Sequence, residues 1–176
     1  MSENNLNNSA SFKRLLRENK QLTLILVDID NFRNINDSYG IESGDHVIVK
    51  ILQTLHSLFL RNITIYKLES DEFALVNEDN LDLSIAEERA KLIISYFNET
   101  ELEIEGELEV KVSFSIGIAR GRGIEVLNNA RLAIKELRMH TRGTYKVYDR
   151  ESPYIKKIQD MFIGLIKSSQ LFLKIR

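Results

Sequence analysis

The chain predicts an α+β sandwich of ferredoxin-like type, a mixed central sheet with an antiparallel hairpin, flanked by helices. Three observations carry this expectation. Leu22–Val27 is an almost unbroken apolar run, the mark of a central strand covered on both faces. Ile63–Leu68 and Phe73–Val76 flank the polar segment Glu69–Glu72, as the two arms of a hairpin do. The patterns follow the order β-α-α-β-β-α-β-α-β, a split β-α-β arrangement with the hairpin at its middle.

Residues 1–9 are polar and rich in asparagine and are expected to be disordered. Phe12–Asn19 is a short helical lead-in to the first strand. Phe32–Tyr39 reads as helix broken by Gly40, and Gly44 with Asp45 opens a clear amphipathic helix. Its Val47, Ile48, Ile51, Leu52, Leu55, Leu58 and Phe59 share one face at helical spacing. After the hairpin, Ser84-x-x-Glu87 starts a helix to about Asn98 with Ile85, Ala86, Ile93 and Phe97 inward. Leu108, Val110, Val112, Phe114, Ile116 and Ile118 alternate, predicting one strand buried on one side. A helix over Gly123–His140 buries Val126, Leu127, Ala130, Ile134 and Leu137, and a strand Tyr145–Tyr148 closes a domain of residues 10–150. Residues 151–176 hold an apolar stripe of Ile155, Ile158, Phe162, Leu165 and Ile166, then a strand-like alternation Leu171–Ile175. That helix either packs back on its own domain or connects to a further one. We assign it as a connector, and the pattern ends as a piece of a longer chain would.

The composition narrows the function classes. A net charge of −2 over 176 residues gives no support to nucleic acid or an anionic membrane as the main partner. No cysteine is present, which excludes disulfides and thiolate chemistry and fits a reducing compartment. No apolar run approaches 20 residues, so the chain is expected to be soluble. His46, His56 and His140 are scattered, and no chemistry is assigned to them.

Chemistry enters at the strand ends. Leu22–Val27 runs straight into Asp28-Ile29-Asp30, and the hairpin turns at Glu69-Ser70-Asp71-Glu72. Carboxylates side by side at a sheet's rim make a site for a hard divalent cation, which usually keeps company with phosphates. Asp30 and Asp37 read as cap or turn carboxylates. Asn36 and Asp45 could cap a helix, and Arg138 and Arg142 could serve a helix C-terminus.

The run Asp28-Ile29-Asp30-Asn31-Phe32-Arg33-Asn34-Ile35-Asn36-Asp37, then Gly40, then Gly44-Asp45, resembles the D-x-D-x-F-K-x-I-N-D…G-H-x-x-G-D segment of GGDEF domains. Glu69-Ser70-Asp71-Glu72-Phe73 stands where that family carries its signature, and Ser113–Ala119 looks like its later strand. The resemblance implies a nucleotidyl-cyclase-type sandwich of diguanylate cyclase ancestry. Two GTP molecules, one on each subunit of a facing homodimer, would be joined into cyclic di-GMP with Mg²⁺ or Mn²⁺. It implies metal ligation by Asp28, the Ile29 carbonyl and Asp71, with Glu72 as base or second-metal partner. Asn36 and Asp45 would read the guanine edge, with Phe32 beside them. Arg33 would touch phosphate during catalysis, and Arg138 and Arg142 would hold the terminal phosphates. A bacterial cytoplasmic setting follows, either free-standing or within a membrane-anchored or sensor-linked protein, with an EAL-type domain as the partner downstream.

The departures matter as much as the matches. Both signature glycines are replaced, by Glu69 and Ser70, and the histidine after Gly40 is Ile41. The family's product-feedback motif falls on Leu60-Arg61-Asn62-Ile63, where Leu60 and Ile63 cannot serve, so no inhibitory product site is expected. The sequence therefore predicts a degenerate, GTP- and metal-binding regulatory domain of weak or absent activity. A working cyclase and a structural or dimerisation module are the alternatives.

Overall fold

The computed structural model describes residues 7–59, 63–69, 71–77, 82–104 and 108–173. β1 (Asn7–Asn8) leads into α1 (Ser9–Arg17), β2 (Gln21–Ile29), α2 (Phe32–Tyr39) and α3 (Ile41–Leu58). The hairpin β3 (Thr64–Lys67) and β4 (Glu72–Asn77) precedes α4 (Leu83–Glu99) and a small ribbon of β5 (Leu102–Ile104) and β6 (Leu108–Val110). Then come β7 (Phe114–Arg122), α5 (Gly123–Leu137), β8 (Tyr145–Val147) and α6 (Pro153–Leu173).

Among the described residues six strands form one sheet in the order β1-β3-β4-β2-β7-β8. β2 lies inside it, antiparallel to both β4 and β7, and is buried on both faces as its apolar run predicts. Successive side chains on a strand point to opposite faces, and β2 divides its residues accordingly. Ile25, Val27 and Ile29 join the cluster with Val47, Ile51 and Leu55 of α3 and Ile93 and Phe97 of α4. Leu22, Leu24 and Leu26 join Phe12 of α1 and Val126, Ala130 and Ile134 of α5. The result is a mixed, mostly antiparallel sheet between two helical layers, the α+β sandwich expected.

Several expectations change. Asn7–Asn8 pairs in parallel with Tyr66 and Lys67, and Ser9 begins α1, so residues 7–9 are ordered. α3 starts at Ile41, directly after Gly40, so Gly44 and Asp45 lie inside the helix and cap nothing. Gly44 is there for close approach: a Cβ on it would stand 1.8 Å from Asn36 Oδ1. Asp82, not Ser84, caps α4 by accepting from the Ser84 amide at 2.9 Å, and Ile85 is exposed. The strand predicted from Leu108 breaks at Lys111–Ser113, its first part pairing with β5 and its second entering the main sheet.

β7 is buried on both faces, since Ser115, Gly117 and Ala119 are small residues lying under α5 and not polar residues facing water. In α6, Ile155 is buried, whereas Met161, Phe162, Ile163 and Leu165 are exposed. Leu171–Leu173 is helix, not strand. Among the described residues no helix is long and apolar enough to cross a membrane.

Candidate functional site

The two-residue alternation that buries Leu22, Leu24 and Leu26 under α5 carries Asp28, and beyond the strand Asp30, to the same side of the sheet. Cross-strand register sets Glu72 of β4 directly opposite Asp28, on the face already occupied by Ala74 and Val76. The Ile29 amide donates to the Asp71 carbonyl at 3.0 Å, which ties the exit of β2 to the turn before β4. α5 crosses above these exits. Arg131, Ile134, Lys135 and Arg138 line a cavity of about 220 Å³ with Asp28 and Glu72.

Each carboxylate of this cavity is held by a guanidinium. Arg138 donates from Nη1 to Asp28 Oδ2 at 3.1 Å, and its Nη2 is shared between Asp28 Oδ1 and Asp30 Oδ1. Arg131 makes a fork to Glu72, Nε to Oε1 at 3.1 Å and Nη2 to Oε2 at 2.5 Å. Burial pushes the Asp28 carboxyl above the usual range; Arg138 draws it back while Asp71 and Glu72 add repulsion. Asp30 goes the other way. Burial opposes its charge, but donors from Ser115, Gly143, Arg138 and Ser113 hold it below the usual range. Arg142 also reaches Asp30, at 3.5 Å.

A second group gathers on α2 and α3. Phe32 is buried with its ring edge near Gly44, and Asn36 packs on that glycine one residue from Asp45, which is exposed. Among the described residues Asn36 Oδ1 is buried and accepts no hydrogen bond, an acceptor that an N–H donor could meet. Neither Asn36 nor Asp45 lines the α5 cavity. Arg33 is exposed and faces Asp37 one helical turn away, at 3.7 Å.

At the signature turn Phe73 is fully buried, and the Lys67 ammonium lies 5.0 Å above its ring while donating to the Glu69 carbonyl. Burial lowers the Lys67 pKa against the pull of Asp71, Glu72 and Glu69. Glu69 is exposed, and its φ is not positive, so the backbone at that position does not itself demand glycine. Ser70 lies outside the described residues, as do Leu60, Arg61 and Asn62.

Three contributors are not singled out by the sequence alone. Asp30, taken there for a cap or turn residue, is the buried centre of the arginine network; its place two residues after Asp28 puts it on the same face. Arg131 and Lys135 precede Arg138 on one face of α5, a spacing of seven and three residues that the helical period makes visible. The donors near Asp28 are hard oxygens of the kind Mg²⁺ takes. Among the described residues no three His, Cys, Asp or Glu side chains form a ready ligand set.

The family described as "Diguanylate cyclase, GGDEF domain" matches residues 3–143. Diguanylate cyclase VdcA of Vibrio cholerae serotype O1 is 40% identical over 62 residues, 35% of this chain and 18% of that protein. Diguanylate cyclase DgcP of Escherichia coli K12 is 36% identical over 73 residues, 40% of this chain and 21% of that protein. The chain thus spans about a fifth of the length of these curated relatives. The GGDEF domain of PA1120 (YfiN or TpbB) from Pseudomonas aeruginosa superposes with a TM-score of 0.74 at 26% identity, covering 82% of this chain and 98% of that one. The active GGEEF domain of a Vibrio cholerae diguanylate cyclase shares the fold, with a TM-score of 0.64 at 23% identity over 80% of this chain and 91% of that one.

Proposed function

The chain belongs to the GGDEF family of diguanylate cyclase domains, and from that premise we propose that it is a regulatory module that binds GTP with a divalent metal and makes little or no cyclic di-GMP. The observation that carries this reading is the state of the paired carboxylates. Asp28 and Glu72 face each other at the cavity, as a metal–polyphosphate site needs, yet each is gripped through both oxygens by an arginine, Glu72 by Arg131 of α5 and Asp28 by Arg138 at that helix's C-terminal cap. When bound, Mg²⁺ or Mn²⁺ would supply charge neutralisation for the polyphosphate, with Asp28, the Ile29 carbonyl and Asp71 as its holders and Glu72 as base or second-metal partner.

The side chains do the rest. Arg138 and Arg142 offer guanidinium donors to terminal phosphates. The unpartnered Asn36 Oδ1 accepts from a guanine N–H, and exposed Asp45 offers a second acceptor. Glu69 adds negative charge where phosphates gather. A carboxylate about 5 Å from a phosphate oxygen, at an effective dielectric of about 20, costs roughly 3 kcal/mol. Felt only in the transition state, that is on the order of a hundredfold in rate. A homodimer would bring two nucleotides together, and the exposed apolar side chains of α6 suit a connector toward an EAL-type partner.

The test is a melting series with GTP or ATP in the presence of Mg²⁺, followed by chromatography for product. GTP should raise the melting temperature well above the effect of ATP, by mass action. Asp28→Ala should lose most of that increment, and product should be scarce even at concentrations that force dimers. The retained pair Asp71-Glu72 favours a working cyclase as the second reading. Robust product from the unmodified chain would establish it and overturn ours.

A further inference from the structure

Arg131 stands apart from the other cations of α5. Its planar fork matches the Glu72 carboxylate oxygen for oxygen, a geometry that lysine cannot copy. The Glu72 side chain is only 12% exposed whereas Arg131 is 40% exposed, so the arginine lies over the carboxylate on the cavity side and shields it from solvent. The helix cannot easily carry Arg131 away. Its neighbour Ala130 packs on Gly117 of β7 so tightly that a Cβ at Gly117 would stand 2.1 Å from the Ala130 carbonyl oxygen. Arg138 differs, because it is shared between Asp28 and Asp30 and keeps a buried anionic partner if Asp28 is drawn elsewhere. Arg131 has no such second partner among the ion pairs of the described residues, and leaving Glu72 would strand its charge.

From this arrangement we infer that Arg131 is a positioning residue acting as a resident counter-ion: it withholds Glu72 from a divalent cation and thereby sets the metal affinity of the site. The inference rests on the metal–nucleotide reading above and adds its regulation. A cation approaching the cavity meets Arg131, Lys135 and Arg138 on one wall and must displace a two-point hydrogen-bonded pair to reach the Glu72 oxygens. A monovalent group built into the helix therefore competes with the divalent ion for the same carboxylate. The competition needs no movement of the sheet.

The probe is Mn²⁺ alone, titrated into the nucleotide-free protein and followed by the paramagnetic resonance signal of the free ion. Arg131→Met should bind Mn²⁺ at least tenfold more tightly than the unmodified chain. Arg131→Lys, which keeps the charge but loses the fork, should gain less, at least threefold. The double variant Arg131→Met with Glu72→Gln should return to the unmodified affinity, because the gain needs the freed carboxylate. A merely structural arginine would give no gain in metal affinity. Unchanged, weaker or undetectable binding by Arg131→Met overturns the inference, as does a gain that survives Glu72→Gln. If Arg131→Met does not fold, the lysine variant decides, and an affinity equal to that of the unmodified chain overturns it. A parallel titration with a fluorescent guanine nucleotide separates the two readings. Failure of GTP to bind sinks the nucleotide proposal, while the Mn²⁺ series still decides the role of Arg131.

Discussion

Asp30 receives hydrogen bonds from the hydroxyls of Ser113 and Ser115, from Arg138 and Arg142, and from the Gly143 amide, while 6% of its surface meets solvent. Removing a buried charge with such partners leaves guanidiniums uncompensated, so Asp30→Ala should destabilise the fold by about 3–5 kcal/mol. The pH dependence follows from the sign of its shift. Asp30 is held below the usual carboxylate range in the folded chain, so its contribution is present above the unfolded value and fades as pH falls through the folded one. Denaturant melts of the two proteins should therefore converge as the solution is made acid. A gap that stays constant would mean that shape, not charge, supplies the stability. Asp28 opposes this trend, since a raised carboxyl takes up a proton on folding and weakens the fold as pH rises through the interval between its two values. The residue types at these positions could be read from the chain. Their division into a stabilised and a strained carboxylate could not, because it depends on donors more than eighty residues away.

Among the elements, β2 and α2 were legible because each carries one unambiguous pattern, an apolar run in the first and a helix ended by Gly40 in the second. The start of α3 is hidden in the sequence, since Gly44 has the look of a helix boundary while its work is to let Asn36 lie against the helix. The small residues of β7 hide their role in the same way. Ser115, Gly117 and Ala119 looked like a solvent face but are the seat of α5, and small size is ambiguous between those two roles. This contact yields a test at the element scale. Gly117→Ala places a methyl against backbone that cannot rotate aside, and overpacking of that kind costs about 1–3 kcal/mol. Denaturant unfolding should register the loss. A variant as stable as the parent would mean that α5 can lift from the sheet, and that its cations are less firmly placed than the packing indicates.

Across the whole molecule, the layering and the sheet followed from element order, and the family followed from motifs spread over most of the chain. The wiring between α5 and the carboxylates did not, as no local pattern announces which arginine meets which aspartate across 110 positions. One absence should hold at this scale. The family resemblance puts Leu60 and Ile63 at the feedback positions, and on that expectation calorimetry of the chain with cyclic di-GMP should reveal no micromolar binding. Micromolar affinity abolished by Arg61→Ala would prove the register wrong.

The alternation of β2 has a consequence for how such a domain can change in evolution. Every second residue from Leu22 to Leu26 faces α5, and Asp28 inherits that direction by parity alone. Losing or gaining a single residue within the strand would turn Asp28 toward the apolar layer of α3 and α4 and offer the side chain of Ile29 or Val27 to Arg138 instead. The strand thus behaves as a reading frame of two. Point substitutions change this site one side chain at a time, whereas an insertion or deletion inside β2 leaves Asp28 facing α5 only when it is even in number.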